Sequence, residues 1–457
     1  MTTLIVITAL GLVTLFSEIF GFRKVLHPIV LAGLAVAFVT NIFDWNKGGH
    51  LFNEMMVIDN FSVAFTGLLI AITFIWCLMS PDFFTEPSSE ADHFALIIFS
   101  LIGAMVMVTF ANMIMLFLGI EILSISLYIL AGSNKTNLAS NEAALKYFLM
   151  GSFATGFLLF GIALIYGVTG SFNLEAISSH LAQSAGQNAV MMLAGVLMMM
   201  IALSFKVSAA PFHFWAPDVY QGSPTVITAF MSTAVKTAAF AAFFRLFLHT
   251  FSASPSIWAP TLMIISGLTI LLGNITAVYQ TNFKRMLAYS SIAHAGYMLM
   301  ALLAMNDSAA SSLLFYTTAY SVSSITAFAI LLLISHQTGN DEIKSFNGLA
   351  KRSPFLAAVT VIAMFSLAGI PPTAGFFAKY YVFSAAAQNG YIGLVLLAII
   401  GSLIGVLYYF RVIISVFKTE EEGQDVRVGP VFRMILIATS LAALLLGIAP
   451  GILAGLI

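Results

Sequence analysis

Long apolar runs follow one another along the whole chain, each about the 20 residues that a membrane-spanning helix needs. They fall at about 3–22, 27–43, 61–80, 93–109, 112–131, 146–169, 188–209, 224–249, 257–279, 286–305, 309–335, 355–384, 391–417 and 431–454. The pattern predicts about fourteen spanning helices and an all-α membrane protein. Two of the runs almost touch near Asn112. No long polar segment interrupts the series, so residues 1–457 read as a single polytopic domain without linkers.

Composition agrees with this pattern. The chain is 60% hydrophobic and 8% charged, whereas soluble proteins average roughly 45–50% apolar and about 25% charged residues. So few charges cannot cover a soluble domain of this size, and the bilayer must serve as solvent for most of it. The net charge of −1 gives no reason to expect nucleic acid. The one cysteine, Cys77, lies in an apolar run and cannot supply an internal disulfide, a thiolate metal site or an iron–sulfur site. The opening MTTLIVITALGLVTLFSEIF is apolar from its fourth residue and lacks a basic leading region, so it reads as a retained first helix.

Lysine and arginine set the expected orientation. Connections after odd-numbered spans carry Arg23, Lys24, Lys135, Lys146, Lys284, Arg285, Lys344, Lys351, Arg352, Lys418, Arg427 and Arg433. Connections after even-numbered spans carry Lys47 and Arg245. The odd connections are therefore expected in the cytoplasm, with both termini on the opposite side. The acidic connection PDFFTEPSSEAD falls inside as well, and acids count little in this rule. Of the eighteen basic residues, Lys206, Lys236, Lys379 and Arg411 remain inside spans. Arg411 lies close enough to the cytoplasmic end of its span to snorkel.

Two of the spans look broken. One carries SAAPFHFWAPDVYQGSPT (208–225), with Pro211, Pro217 and Pro224, and the other LAGIPPTAGFFAKYY (367–381), with Pro371 and Pro372. Proline removes a helix hydrogen bond, and the freed carbonyls must find partners or a wet cavity at membrane depth. The breaks fall in spans seven and twelve, an odd number of spans apart, so equivalent spans run in opposite directions. This is the expected mark of an inverted repeat, spans 4–8 against 9–13. The domain then divides into three N-terminal helices (1–90), a first repeat (91–250), a second repeat (256–418) and a C-terminal helix (430–457). The bland alternative is that the prolines only kink two long helices.

The ionisable residues inside the spans carry the candidate chemistry. Glu121 lies in MIMLFLGIEILSISLYIL, and Lys206 in MMMIALSFKVSAAP just before the first break. Lys236 lies in TAFMSTAVKTAAF, and Lys379 follows the second break. A charge at a helix centre costs roughly 2.5–3.5 kcal/mol on insertion scales, so four unpaired charges would cost on the order of 10 kcal/mol. They must be paired, hydrated or neutral part of the time. A Glu–Lys–Lys row is then a proton wire whose occupancy depends on which pair is close. A static Glu121–Lys206 ion pair is the structural alternative; two further buried lysines favour the wire. His294, in YSSIAHAGYM, and His213, in the first broken span, can each relay a proton or simply join two helices by a hydrogen bond. His213 and His249 do not form a haem-ligand pattern. Glu18 lies near Arg23 and Lys24 and reads as surface pairing. There is no phosphate loop and no nicotinamide or flavin fingerprint, and the 22 Met residues read as packing filler.

These stretches resemble a known family. LFLGIEILSISLYILAG (116–132), SNEAALKYFLMGSFATGFLLFGIALIYGVTGSFNL (140–174), FKVSAAPFHFWAPDVYQGSPT (205–225), NFKRMLAYSSIAHAGYML (282–299) and SLAGIPPTAGFFAKYYVF (366–383) are similar, in order, to signatures of the antiporter-like membrane subunits of respiratory complex I. PDVYQGSPT and a lysine in the twelfth span separate the chain from the subunit M pattern, which usually places a glutamate there. The resemblance implies a non-redox subunit of a proton-translocating NADH:quinone oxidoreductase in the bacterial inner membrane, built as two inverted five-helix repeats. It implies that Glu121, Lys206, Lys236 and Lys379 form the proton pathway, driven by quinone reduction elsewhere in the complex, and His294 joins that candidate pathway from the reading of its own span. NADH, FMN, iron–sulfur clusters and quinone would belong to partner subunits, and this chain would hold no cofactor. Its neighbours would be the membrane subunits M and K and a lateral helix of subunit L. The alternative is a subunit of an Mrp-type monovalent cation/proton antiporter, which shares the broken spans and the buried lysine.

Overall fold

The computed structural model describes residues 1–21, 23–80, 90–183, 189–306, 308–418 and 426–457. The acidic connection and the partners expected for Glu18 lie largely outside the described residues and side chains. Among the described residues the protein is all-α apart from a small antiparallel hairpin, β1 (Gly49–Leu51) and β2 (Met56–Ile58). Eleven of the described helices are long and apolar enough to cross a membrane. Three shorter apolar helices, Thr2–Phe16, Val190–Lys206 and Pro354–Ala368, fall below that length.

The chain forms two compact units, Met1–Val207 with Gly222–Thr261, and Ser208–Gln221 with Leu262–Ile457. The segment that follows Lys206 therefore packs with the second unit, although its place in the chain puts it among residues 91–250. The helices begin with α1 (Thr2–Phe16), α2 (Arg23–Ile42), α3 (Asn60–Met79), α4 (Glu90–Thr109), α5 (Met113–Ala131), α6 (Leu138–Thr169), α7 (Leu174–Gln183) and α8 (Ala189–Lys206). They continue with α9 (Trp215–Gly222), α10 (Thr225–Phe230) and, after a π-helical turn at Met231–Val235, α11 (Lys236–Thr250). Then come α12 (Ala259–Val278), α13 (Phe283–Ala304), α14 (Ala309–Thr338), α15 (Leu349–Arg352), α16 (Pro354–Ala368), α17 (Ala374–Gln388), α18 (Ile392–Phe417) and α19 (Pro430–Ile448).

Polar residues in the connections set the helix ends. Asn112 separates the two spans that almost touch: its side chain accepts from the Ile114 N–H at 2.9 Å and starts α5. Asn137 and Asn282 cap α6 and α13 in the same way. Asp59 and Ser62 exchange side-chain and backbone hydrogen bonds at the start of α3, a reciprocal capping box. Gly170 and Gly339 close α6 and α14 in the left-handed conformation. The first helix ends at Phe16, earlier than the apolar run implies. The Thr14 and Ser17 hydroxyls turn back onto the Gly11 and Thr14 carbonyls at 2.8 and 2.7 Å, and the backbone tightens there, the Ser17 N–H donating to the Thr14 carbonyl at 3.3 Å. The amphipathic α7 and the β1–β2 hairpin lie in stretches that the hydrophobic pattern reads only as connections.

Burial is inverted relative to a soluble protein. The apolar windows of α10–α11 and α13 are 100% and 94% buried, while those of α6 and α18 are each 33% buried and present Phe153, Phe160, Leu403 and Ile414 outward. Exposed apolar faces on this scale are what a lipid solvent or neighbouring subunits require. Close helix contacts rely on missing side chains. A Cβ at Gly103 of α4 would lie 2.5 Å from the Leu123 nitrogen of α5, and one at Gly273 of α12 would lie 2.5 Å from the Ala293 nitrogen of α13.

Candidate functional site

In the first unit, the site forms where α8 stops. Lys206 is the last residue of α8 and is buried. Its ammonium donates to Ser124 Oγ of α5 at 2.7 Å and lies 5.7 Å from the Tyr147 ring centre of α6. Ser124 in turn donates to the Ile120 carbonyl at 2.5 Å. Glu121 lies one helical turn before Ser124 on α5. Glu121 is half-buried, on a face where Leu118, Ile122 and Ile125 are exposed. Lys206 therefore rests on a neutral hydroxyl and an aromatic face.

Lys236 is the first residue of α11, immediately after the π-helical turn, and only 2% of it is exposed. Single π-turns recur at functional sites, because the extra residue turns a side chain away from the regular helix face. Arg245, nine residues further along the same helix, is also buried. Its guanidinium makes two hydrogen bonds to Asp59, of 2.7 and 2.9 Å, and packs over the Phe61 ring. Arg245, counted above with an outer connection, is thus buried against the N-cap carboxylate of α3, although its Nε finds no hydrogen-bond partner.

In the second unit, the break between α16 and α17 makes the site. Gly369 takes φ +84°, which ends α16 at Ala368. Lys379 reaches back from α17 and donates to the Ala368 carbonyl at 2.6 Å and to Ser402 Oγ at 2.8 Å. The lysine thus satisfies an acceptor released by the break. A Cβ at Gly369 would come within 2.8 Å of Lys379 Cδ, so glycine is needed for contact as well as for backbone conformation. The Tyr297 ring lies 5.4 Å from the ammonium.

His294 of α13 is buried, with both ring nitrogens engaged: Nδ1 with the Tyr316 hydroxyl at 2.7 Å and Nε2 with the Tyr409 hydroxyl at 3.2 Å. Tyr409 also makes a very short hydrogen bond with Ser290. His213 stacks on Phe214, and its Nδ1 has no partner. Arg411 does more than reach the interface: its guanidinium donates to the Val278 carbonyl at 2.8 Å and to the Gln280 carbonyl, closing the end of α12. Asp218, within PDVYQGSPT, pairs with Arg285 of NFKRMLAYSS at 2.9 Å, and Gln221 also accepts from that arginine. Among the described residues, no three His, Cys, Asp or Glu side chains are grouped to hold a metal ion.

The structure thus places Glu121, Lys206 and Lys236 in one unit and His294 and Lys379 in the other. Sequence reasoning missed Ser124, Ser402, Tyr297, Tyr316 and Tyr409. Serine and tyrosine are common in membrane helices, and their spacing carries no signal until the helices are packed.

Broken helices, each with a buried lysine at the break, define a membrane subunit of the antiporter-like class. Residues 111–405 match the family described as NADH:quinone oxidoreductase/Mrp antiporter, transmembrane. The NADH-quinone oxidoreductase subunit N of Cytophaga hutchinsonii is 45% identical over 455 residues, 99% of this chain and 98% of that one. A chain of respiratory complex I from Thermus thermophilus with bound aureothin is 33% identical, with a TM-score of 0.86 over 99% of both chains. A chain of the Mrp complex from Dietzia sp. DQ12-45-1b has the same fold, with a TM-score of 0.89 at 20% identity over 99% of this chain and 95% of that one. The chain belongs to the NADH-quinone oxidoreductase subunit N family.

Proposed function

We propose that the protein is a proton-translocating, non-redox subunit in the membrane arm of a bacterial NADH:quinone oxidoreductase. The observation that carries this reading is the setting of Lys206 and Lys379. Each is buried at the break of a helix, and its ammonium is hydrogen-bonded to neutral oxygens, those of Ser124, Ala368 and Ser402. A hydroxyl or carbonyl holds either protonation state more evenly than a bound carboxylate does, so these lysines can load and discharge. In this reading, quinone reduction elsewhere in the complex perturbs the Glu121–Lys206 pair. Lys206 changes protonation, the change passes through Lys236 and the His294 region, and Lys379 releases a proton outward. Each outward charge works against roughly 2.3 kcal/mol per 100 mV, which a modest change in ion-pair distance can supply at low effective dielectric.

The finer architecture belongs to the same proposal. The eleven long helices and three shorter apolar ones correspond to fourteen passes, with both termini on the outer side. Two inverted repeats are supported by the paired breaks and by the similar glycine-mediated contacts of α4 with α5 and α12 with α13. NADH, FMN, iron–sulfur clusters and quinone would then lie in partner chains, with subunits M and K and a lateral helix of subunit L as neighbours.

The test is Lys206→Ala in the complex reconstituted into vesicles. Pumping coupled to NADH oxidation should be lost, and full pumping would overturn the assignment. Purification separates the Mrp-type alternative, since flavin and iron–sulfur chains should copurify with this one.

A further inference from the structure

The second unit holds a polar link that the proposed pathway does not use. Asn274 of α12 is 1% exposed, and its Nδ2 donates to the Ile270 carbonyl at 2.8 Å and to the Tyr297 hydroxyl at 2.9 Å. A backbone carbonyl can only accept, so Ile270 fixes which way the amide points. Oδ1 then faces the Tyr408 hydroxyl, which donates to it across 3.2 Å. With its single proton committed to Asn274, Tyr408 can only accept from its other neighbours.

Asn274 is therefore hydrogen-bonded between two groups of residues, which also meet where the His294 and Tyr297 rings pack edge to face with centroids 5.9 Å apart, a contact that carries no hydrogen bond between the rings. On one side are Tyr408 and, beside it, Tyr409, whose ring centre lies 4.4 Å away and which leads to Ser290 and His294. On the other side is Tyr297, whose ring lies beneath the Lys379 ammonium. The socket is closed by the bare backbone of α18. A Cβ at Gly401 would lie 3.2 Å from Asn274 Nδ2 and from the Tyr297 hydroxyl, and one at Gly405 would lie 3.1 Å from Asn274 Oδ1.

A hydroxyl accepts and releases a proton at the same oxygen, so hydroxyl chains conduct. A carboxamide accepts at oxygen and would have to release from nitrogen, passing through an imidic acid, and here both ends are already fixed by hydrogen bonds. We infer that Asn274 is a proton-insulating positioning residue: it ties the hydroxyl cluster at His294 to the Tyr297 platform under Lys379 while barring direct proton passage between them. A permanent wire at this point would let protons run back down the membrane potential. With Asn274 in place, His294 exchanges protons on its Tyr316 side, and transfer to Lys379 waits on rearrangement elsewhere.

This inference rests on the proposed translocation, and its test keeps the two apart. The parent oxidoreductase carrying Asn274→Asp, Asn274→Ser or Asn274→Leu is reconstituted into vesicles, and protons moved per NADH are measured with NADH oxidation. A carboxyl or hydroxyl can pass a proton, so the Asp and Ser variants should oxidise NADH yet lose pumping. The Ser variant serves if the Asp variant does not assemble. The Leu variant, which carries no relay group, should slow turnover but keep the ratio. Wild-type ratios in both the Asp and the Ser variants would overturn the inference, as would a ratio lost equally in the Leu variant. Lys379→Ala forms a separate arm: full pumping there would sink the proposed translocation itself, whatever the Asn274 variants do.

Discussion

Gly369→Ala offers a sharp probe of how a helix break serves the buried lysine. At φ +84°, alanine adopts a left-handed conformation that costs about 1–2 kcal/mol. The new Cβ would also sit 2.8 Å from Lys379 Cδ and 3.0 Å from Nζ. The lysine is the flexible partner, so it yields and its ammonium leaves the Ala368 carbonyl. A hydrogen bond to a charged group contributes roughly 1.5–3 kcal/mol. Together the two effects come to about 2.5–5 kcal/mol, still within the stability of an ordinary domain. The chain should therefore assemble but pump poorly. Gly390→Ala is a matched control, because Gly390 has the same φ of +84° and nothing within 4 Å of the added Cβ. Both variants should lose similar backbone stability, and only Gly369→Ala should lower protons pumped per NADH in reconstituted vesicles. Equal pumping by the two variants would refute a role for the contact between the break and Lys379.

Other outcomes follow from the same structure. Asp59→Ala leaves Arg245 buried without its carboxylate; breaking a buried pair costs about 3–5 kcal/mol, and less is expected here because the Asp59 side chain is 35% exposed. Thermal stability of the purified complex should fall for Asp59→Ala and fall less for Arg245→Met. Burial raises the Asp59 carboxyl, but the Arg245 charge and hydrogen bonds from Arg245 and Ser62 outweigh it and hold the group below its ordinary value. A carboxyl lower in the folded than in the unfolded state stabilises fully above the unfolded value, about 3.9, and the contribution disappears as pH falls through the folded value. Asp59→Asn should therefore flatten the acid limb of a stability–pH curve below about pH 4 and leave the neutral limb parallel to wild type. Asp218→Asn breaks a partly exposed pair with Arg285, so unfolding measurements should register a loss of only about 0–1 kcal/mol. Gly273→Ala puts a Cβ 2.5 Å from backbone that cannot yield, and thermal melting should show a loss of about 1–3 kcal/mol.

The sequence by itself determined the solvent, the helix class and which ionisable residues are out of place. Apolar runs of spanning length, two proline-rich breaks and the lysines at Lys206, Lys236 and Lys379 are one-dimensional signals, because length, proline and charge in a bilayer carry their meaning without knowledge of any neighbour. It counted Arg245 with an outer connection and carried no sign of its burial against Asp59. It dismissed Arg411, which caps the end of α12. Partners were decided only by the tertiary structure. Ser124 under Lys206, the Ala368 carbonyl and Ser402 under Lys379, and Asn274 between two tyrosines come from helices distant in the chain. A hydrogen bond needs two groups within about 3 Å, and the spacing of apolar residues along one helix does not say which residue of another helix will face it.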